Sequence, residues 1–237
     1  MQTIRAVLFD LDGTLLENNV PIFFEHYFRR LAGWVGHLTP PEEFLAHLNR
    51  ATAAMLANDG TRTNETVFTE VFYPLIGRPR EEMEPLFMDF YAREFPKLRE
   101  YTVRRPEARR VVRRAFDLGL DVVVATNPLF PSTAIRQRLE WAGAADFPYR
   151  LVTTYENSRA CKPSLTYFRQ IADYLGHPPE ACLMVGDEDW DMIAGKLGCL
   201  TYLVPGVNTR TRLPDAPAPQ YRGTLGELIE VIERHAG

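Results

Sequence analysis

Cysteine is scarce in this sequence: Cys161, Cys182 and Cys199 are the only three, and an odd set at such wide spacing matches no disulfide or metal pattern. That sets aside a disulfide-stapled secreted fold. No apolar run approaches the roughly 18 residues that cross a bilayer. Positive charge is in deficit, with 27 Lys and Arg against 31 Asp and Glu and a net charge of −4. A broad basic surface for nucleic acid is therefore not implied. Internal repeats and low-complexity tracts are missing too. Met1 to Arg5 lead straight into the first apolar run, too short a stretch for a signal peptide. The expectation is a reduced, soluble, cytoplasmic protein without a membrane or nucleic-acid partner, its oligomeric state left open.

What is present is a core. Apolar residues make up 46% of the 237 residues, enough for one large domain or a core with a smaller insertion. Ala6 to Phe9 read as a strand buried on both faces, as in a parallel sheet. The run ends in Asp10-Leu11-Asp12-Gly13-Thr14-Leu15. Side chains at i and i+2 of an extended segment share a side, so Asp10 and Asp12 can face one pocket. The plainer alternative is an Asx-type turn at a strand end.

The pattern then turns helical. Phe23, Phe24, Tyr27, Phe28, Leu31 and Trp34 recur at helical spacing. Pro40-Pro41 opens a second helix, a third begins near Thr63 or Asn64 and stops at Gly77, and a fourth runs from about Arg80 with Pro85 near its start or kinking it. Their aromatic stripes read as helix-packing core. Residues 17–100 are thus expected to form a small helical bundle. The segments 1–16 and 101–237 form the rest, with candidate hinges near Glu17 and Tyr101.

Strand signals return only after Arg105-Pro106. Helix 106–118, strand 121–125, helix 132–142, strand 149–152, a helix after Lys162-Pro163, strand 181–185, a short helix to Gly198 and strand 200–204 follow. A loop over 205–220 holds four prolines, and a last helix starts at Thr224 with Glu227 completing a capping box. Such alternation means an α/β fold, a Rossmann-like parallel sheet with helices on both faces, into which the α-helical bundle is inserted as a cap.

Three buried strands end in polar groups: Asp10/Asp12, Thr126/Asn127 and Asp187/Asp191. Lys162 lies at a helix start between the last two. In open α/β sheets ligands bind at the carboxyl ends of the strands. Taken singly, Lys162 also reads as a solvated lysine, and Asp187 and Asp191 as acids complementing a helix dipole. A phosphate monoester is anionic, and a carboxylate approaches it only once that charge is neutralised. Hard oxygen ligands recruit Mg²⁺, a role that suits Asp10 and Asp187. Lys162 supplies a compact positive charge to phosphate and to Asp10. Thr126 offers a hydroxyl, with Asn127 beside it.

These motifs, in order Asp-x-Asp-Gly-Thr, a Thr after an apolar strand, Lys-Pro, and Gly-Asp-x-x-x-Asp, resemble the four motifs of the haloacid dehalogenase superfamily, in its phosphatase form with a helical cap after the first motif, akin to phosphoglycolate phosphatases. The resemblance implies a Mg²⁺-dependent phosphohydrolase of a small phosphorylated metabolite. Asp10 would be the nucleophile that forms an aspartyl-phosphate, and Asp12 the general acid and then base. The metal would be held by Asp10, the backbone carbonyl of Asp12, Asp187, and Asp191 directly or through water. Thr126, Asn127 and Lys162 would bind the phosphate, and Arg62, in the polar loop after Asn58-Asp59-Gly60, would reach a substrate anion. Two departures stand out: Leu165 replaces a common second proline, and Glu188 a common Ser or Thr. A 2-haloacid dehalogenase, a phosphonate hydrolase, a sugar-phosphate mutase and a non-catalytic binding module share such a core. Asp12 argues against the dehalogenase, which needs no metal and no second acid.

Overall fold

A computed structural model describes residues 2–210 and 213–237. Met1 of the short N-terminal lead and residues 211 and 212 of the 205–220 loop lie outside the described residues. The chain begins with β1 (Ala6–Phe9) and β2 (Leu16–Asn18), then runs through α1 (Val20–Val35), α2 (Pro41–Leu56), α3 (Asn64–Ile76) and α4 (Arg80–Arg93). It returns through the 3-10 helix Phe95–Tyr101 and β3 (Thr102–Arg104). Then come α5 (Pro106–Asp117), β4 (Asp121–Val124), α6 (Ser132–Ala142), β5 (Leu151–Val152), α7 (Leu165–Leu175) and β6 (Cys182–Gly186). Last are α8 (Asp189–Met192), β7 (Leu200–Leu203), β8 (Tyr221–Arg222) and α9 (Leu228–His235).

Six strands form one parallel sheet in the order β5-β4-β1-β6-β7-β8. The sheet is buried on both faces, and the strand alternation sorts its side chains between two cores. Val7, Phe9, Val122, Val124, Leu183 and Val185 pack with α5, α6 and α9, and this cluster continues into the inserted helices. Ala6, Leu8, Val123, Ala125, Cys182 and Met184 pack with α7 and with Ile193 and Ala194. Phe9 pairs in register with Val124 on one side and Val185 on the other. Three strand tips therefore end at one level. Among the described residues no helix is long and apolar enough to cross a membrane.

The inserted helices keep the expected starts and stops. Thr63 caps α3, its hydroxyl accepting from the Thr66 N–H at 3.1 Å, and Gly77 ends the helix at φ +68°. The helix α4 continues past Pro85, five residues after its start. Phe23, Phe72, Phe90 and Phe95 are fully buried among other rings, so these stripes are packing core.

Several expectations are corrected. The two crossings near Glu17 and Tyr101 are zipped together as an antiparallel ribbon, Leu16 to Arg104, Glu17 to Val103 and Asn18 to Thr102. The expected boundary at 16/17 thus falls inside β2. Three-residue strands carry too little periodicity to be seen in sequence, and their partners lie more than eighty residues apart in the chain. The two-residue edge strand β8 escaped notice for the same reason. The Thr224–Glu227 box forms, Glu227 accepting from the Thr224 N–H at 2.7 Å, but it closes a turn and the regular helix starts at Leu228.

Candidate active site

The tip of β1 sets the site. After Phe9 the Asp10 N–H donates to the Val185 carbonyl at 2.8 Å, so the first aspartate is still tied to the sheet. The chain then folds sharply: Leu16 N–H donates back to the Leu11 carbonyl at 2.9 Å, and Gly13 N–H to the Leu16 carbonyl at 2.7 Å. Gly13 sits at φ +82°, a region that favours glycine, and a Cβ there would lie 1.9 Å from Oδ2 of Asp187. The first motif needs its glycine both for the turn and for the close approach of the third acid.

Lys162 is the hub. Its Nζ donates to Asp10 Oδ1 at 2.8 Å and to Asp191 Oδ1 at 2.5 Å, with all three side chains buried. Burial by itself works against the ammonium, but Asp10 and Asp191 carry its pKa well above the usual lysine value. The lysine is placed just before α7, and Asn127 Oδ1 accepts its backbone N–H at 3.2 Å. Asp191 lies in α8, its other oxygen accepting from the Glu188 N–H at 3.3 Å. Thr126, at the tip of β4, is fixed through its carbonyl, which accepts from the hydroxyls of Thr153 at 2.7 Å and Tyr167 at 2.9 Å.

Asp10, Asp187 and Asp191 bring oxygens within 4.8 Å of one another. Two carboxylates thus hold the ammonium and a third stands beside them, an excess of negative charge. Burial, then the neighbouring Asp10, push Asp187 up to about 9. Burial raises Asp191 to about 7 even though Lys162 opposes it. Oδ2 of Asp187 is buried with no hydrogen-bond partner among the described residues. A hard-oxygen cluster with excess negative charge and an orphaned oxygen fits a small divalent cation, and on chemistry Mg²⁺ suits it.

Asp12 is held from two directions. Asn18 Nδ2, on the ribbon strand β2, donates to its Oδ1 at 2.9 Å, and the Arg138 guanidinium of α6 pairs with its Oδ2. Burial raises the Asp12 pKa, and Arg138 pulls against it without cancelling the rise. Arg138 also lies over the Phe130 ring at 4.4 Å.

One cavity of about 260 Å³ joins Asp10, Asp12, Thr126, Asn127, Lys162 and Asp187. Asp191 does not line it but accepts from the Lys162 ammonium that does. Arg138 and Asn208 line it as well, and sequence reading missed both. Asn208, from the 205–220 loop, accepts from the Val20 N–H and donates to the Asn18 carbonyl, both at 3.0 Å; no local pattern marked it. Arg138 did leave a signal, a charge in line with Ala134 and Ala142 on the buried face of α6. A cation there requires a partner. Arg62 does not reach the cavity: it is exposed and paired with Glu70. The expectation that it meets a substrate anion is corrected accordingly, because the loop after Gly60 packs against Thr166 and Gln170 of α7.

The phosphoglycolate phosphatase of Aquifex aeolicus is 29% identical over 98% of both chains. Among solved structures, a HAD phosphatase from Thermococcus onnurineus superposes with a TM-score of 0.62 at 20% identity, covering 97% of this chain and 98% of its own. The L-2-haloacid dehalogenase of Xanthobacter autotrophicus does so with a TM-score of 0.60 at 17% identity, covering 99% and 100%. The two structures share the fold. The family description of haloacid dehalogenase-like hydrolases matches residues 4–198. This chain belongs to the haloacid dehalogenase-like hydrolases.

Proposed function

We propose that the protein is a Mg²⁺-dependent phosphohydrolase of a small phosphorylated metabolite, working through an aspartyl-phosphate on Asp10. The observation that carries this reading is the Lys162 ammonium shared between Asp10 and Asp191, with the orphaned oxygen of Asp187 alongside. Asp10, Asp187 and the Asp12 backbone carbonyl would hold the cation, with Asp191 behind them orienting water or lysine. Bound there, the cation neutralises phosphate charge so that a carboxylate can approach.

Asp10 attacks phosphorus with the oxygen that Lys162 leaves available. Lys162 and Thr126 meet charge developing on the phosphoryl oxygens. Asp12, whose mostly buried carboxyl binds a proton more readily than a free one, donates that proton to the leaving oxygen. It then takes one from the water that cleaves the aspartyl-phosphate. Asn18 and Arg138 hold its oxygens in place for both steps. A 2-haloacid dehalogenase has no task for such a second acid. The phosphatase relative supports the reading. The test is hydrolysis of p-nitrophenyl phosphate: activity should appear with Mg²⁺ and vanish in excess chelator. Full activity in chelator would overturn the metal assignment.

A further inference from the structure

Beside the catalytic cavity lies a larger one of about 370 Å³, lined by the inserted helices and the loop after β4. That is within the roughly 300–1,000 Å³ of small-molecule pockets. Its walls are rings and aliphatic chains, among them Phe28, Leu31, Phe68, Phe87 and Tyr91. The two cavities share three lining residues, Phe24, Leu129 and Phe130, and the Phe24 and Phe130 rings stand 5.6 Å apart. The catalytic cavity therefore borders an aromatic chamber.

Charge narrows what that chamber can accept. Among the described residues no Lys, Arg or His lines it, and its acids are Glu65, Glu84 and Glu156. Glu65 and Glu84 are bound by Arg80, and Glu156 accepts from the Ser132 N–H at 2.8 Å. Among the described residues the cations lining the catalytic cavity are Lys162 and Arg138, and both already face carboxylates. Among the described residues, a leaving group bearing a carboxylate or second phosphate would meet aromatic rings and no uncommitted cation, at the desolvation cost of an unpaired charge.

We propose that the substrate is a phosphate monoester of an uncharged, apolar alcohol, whose aromatic or branched-chain leaving group sits in this chamber. This rests on the phosphohydrolase reading above and narrows it. Glycolate, the leaving group that a phosphoglycolate phosphatase releases, carries a carboxylate and fits the chamber poorly.

The test is kcat/KM of the Mg²⁺-supplied wild-type protein on alkyl phosphates from ethyl to hexyl, whose leaving alcohols have similar acidity, and on 2-phosphoglycolate. We expect a rise of about fourfold per buried methylene, with hexyl phosphate cleaved faster than phosphoglycolate. A flat series, or faster cleavage of phosphoglycolate, overturns this inference and leaves the phosphohydrolase reading standing. Cleavage of none of the esters overturns both. Thr52, on α2, lines the chamber, and Thr52→Trp should flatten the dependence on chain length; an unchanged slope in the folded variant counts against the proposal. The wild-type series decides the question without the variant.

Discussion

Arg138, two per cent exposed on α6, forms an ion pair with Asp12, the second acid of the first motif. Helix and strand tip are 126 positions apart in sequence. Removing the guanidinium leaves a mostly buried carboxylate without its cation. Breaking a buried pair from one side costs roughly 3–5 kcal/mol, and the partial exposure of Asp12 places Arg138→Met near about 3 kcal/mol on that scale. Urea denaturation reads this directly. Asp12→Asn in the same background should recover part of the loss, and strict additivity of the two substitutions would show that they do not interact.

Asp10 and Asp12 should fail differently. Asp10→Asn should stop the reaction before any covalent intermediate. Asp12→Asn loses acid–base help worth about 10²–10⁴-fold. A p-nitrophenolate leaving group needs little protonation to depart, whereas the second step still needs a base. Rapid quench of Asp12→Asn should therefore show a burst near one equivalent of p-nitrophenol per enzyme and then little turnover, with phosphate on the protein by intact mass. No burst, or normal turnover, refutes the division of roles.

The acid cluster sets a pH dependence whose sign follows from the raised pKa values. Without a cation, folded Asp187 holds its proton up to about 9, whereas its usual value is 3.8. Between these values the folded state binds more protons than the unfolded one, so stability falls as pH rises through that window. Asp191, raised to about 7, adds to the slope below neutrality. Melting temperature in chelator should drop from pH 5 to pH 9. Mg²⁺ displaces the proton, so its stabilisation should grow with pH, reaching about 2.7 kcal/mol at a hundredfold excess over Kd. In Asp187→Asn the chelator-state slope should flatten and the Mg²⁺ gain should disappear. A Mg²⁺ gain that is the same at pH 5 and pH 9 contradicts this account.

Arg62→Ala should leave KM for the best substrate unchanged. The Arg62–Glu70 pair is more than half exposed on both sides, and such pairs are worth under about 1 kcal/mol, so the melting temperature should barely move. A several-fold rise in KM would return Arg62 to the binding site.

The sequence by itself determined the parallel sheet, the helical insertion and the order of the polar strand tips. Local physics writes those features: runs of Val, Leu and Ala for strands buried on both faces, a 3.6-residue period for the helices, Gly and Pro at their ends. Because neighbouring strands end in register, Asp10, Thr126 and Asp187 had to converge once the sheet was parallel. Tertiary structure alone decided the rest. The β2–β3 ribbon is a pairing of segments more than eighty residues apart, held by hydrogen bonds that neither segment can form alone. Asn208 joins the cavity from a loop after β7 without any local period to announce it. Arg62 is a charge in a polar loop, yet where that loop docks depends on Gly60 packing against α7. Whether Arg138 would find a carboxylate, and which one, depended on how α6 lies beneath the first motif. An orientation of that kind is set by the packing of whole faces, and no stretch of sequence carries it.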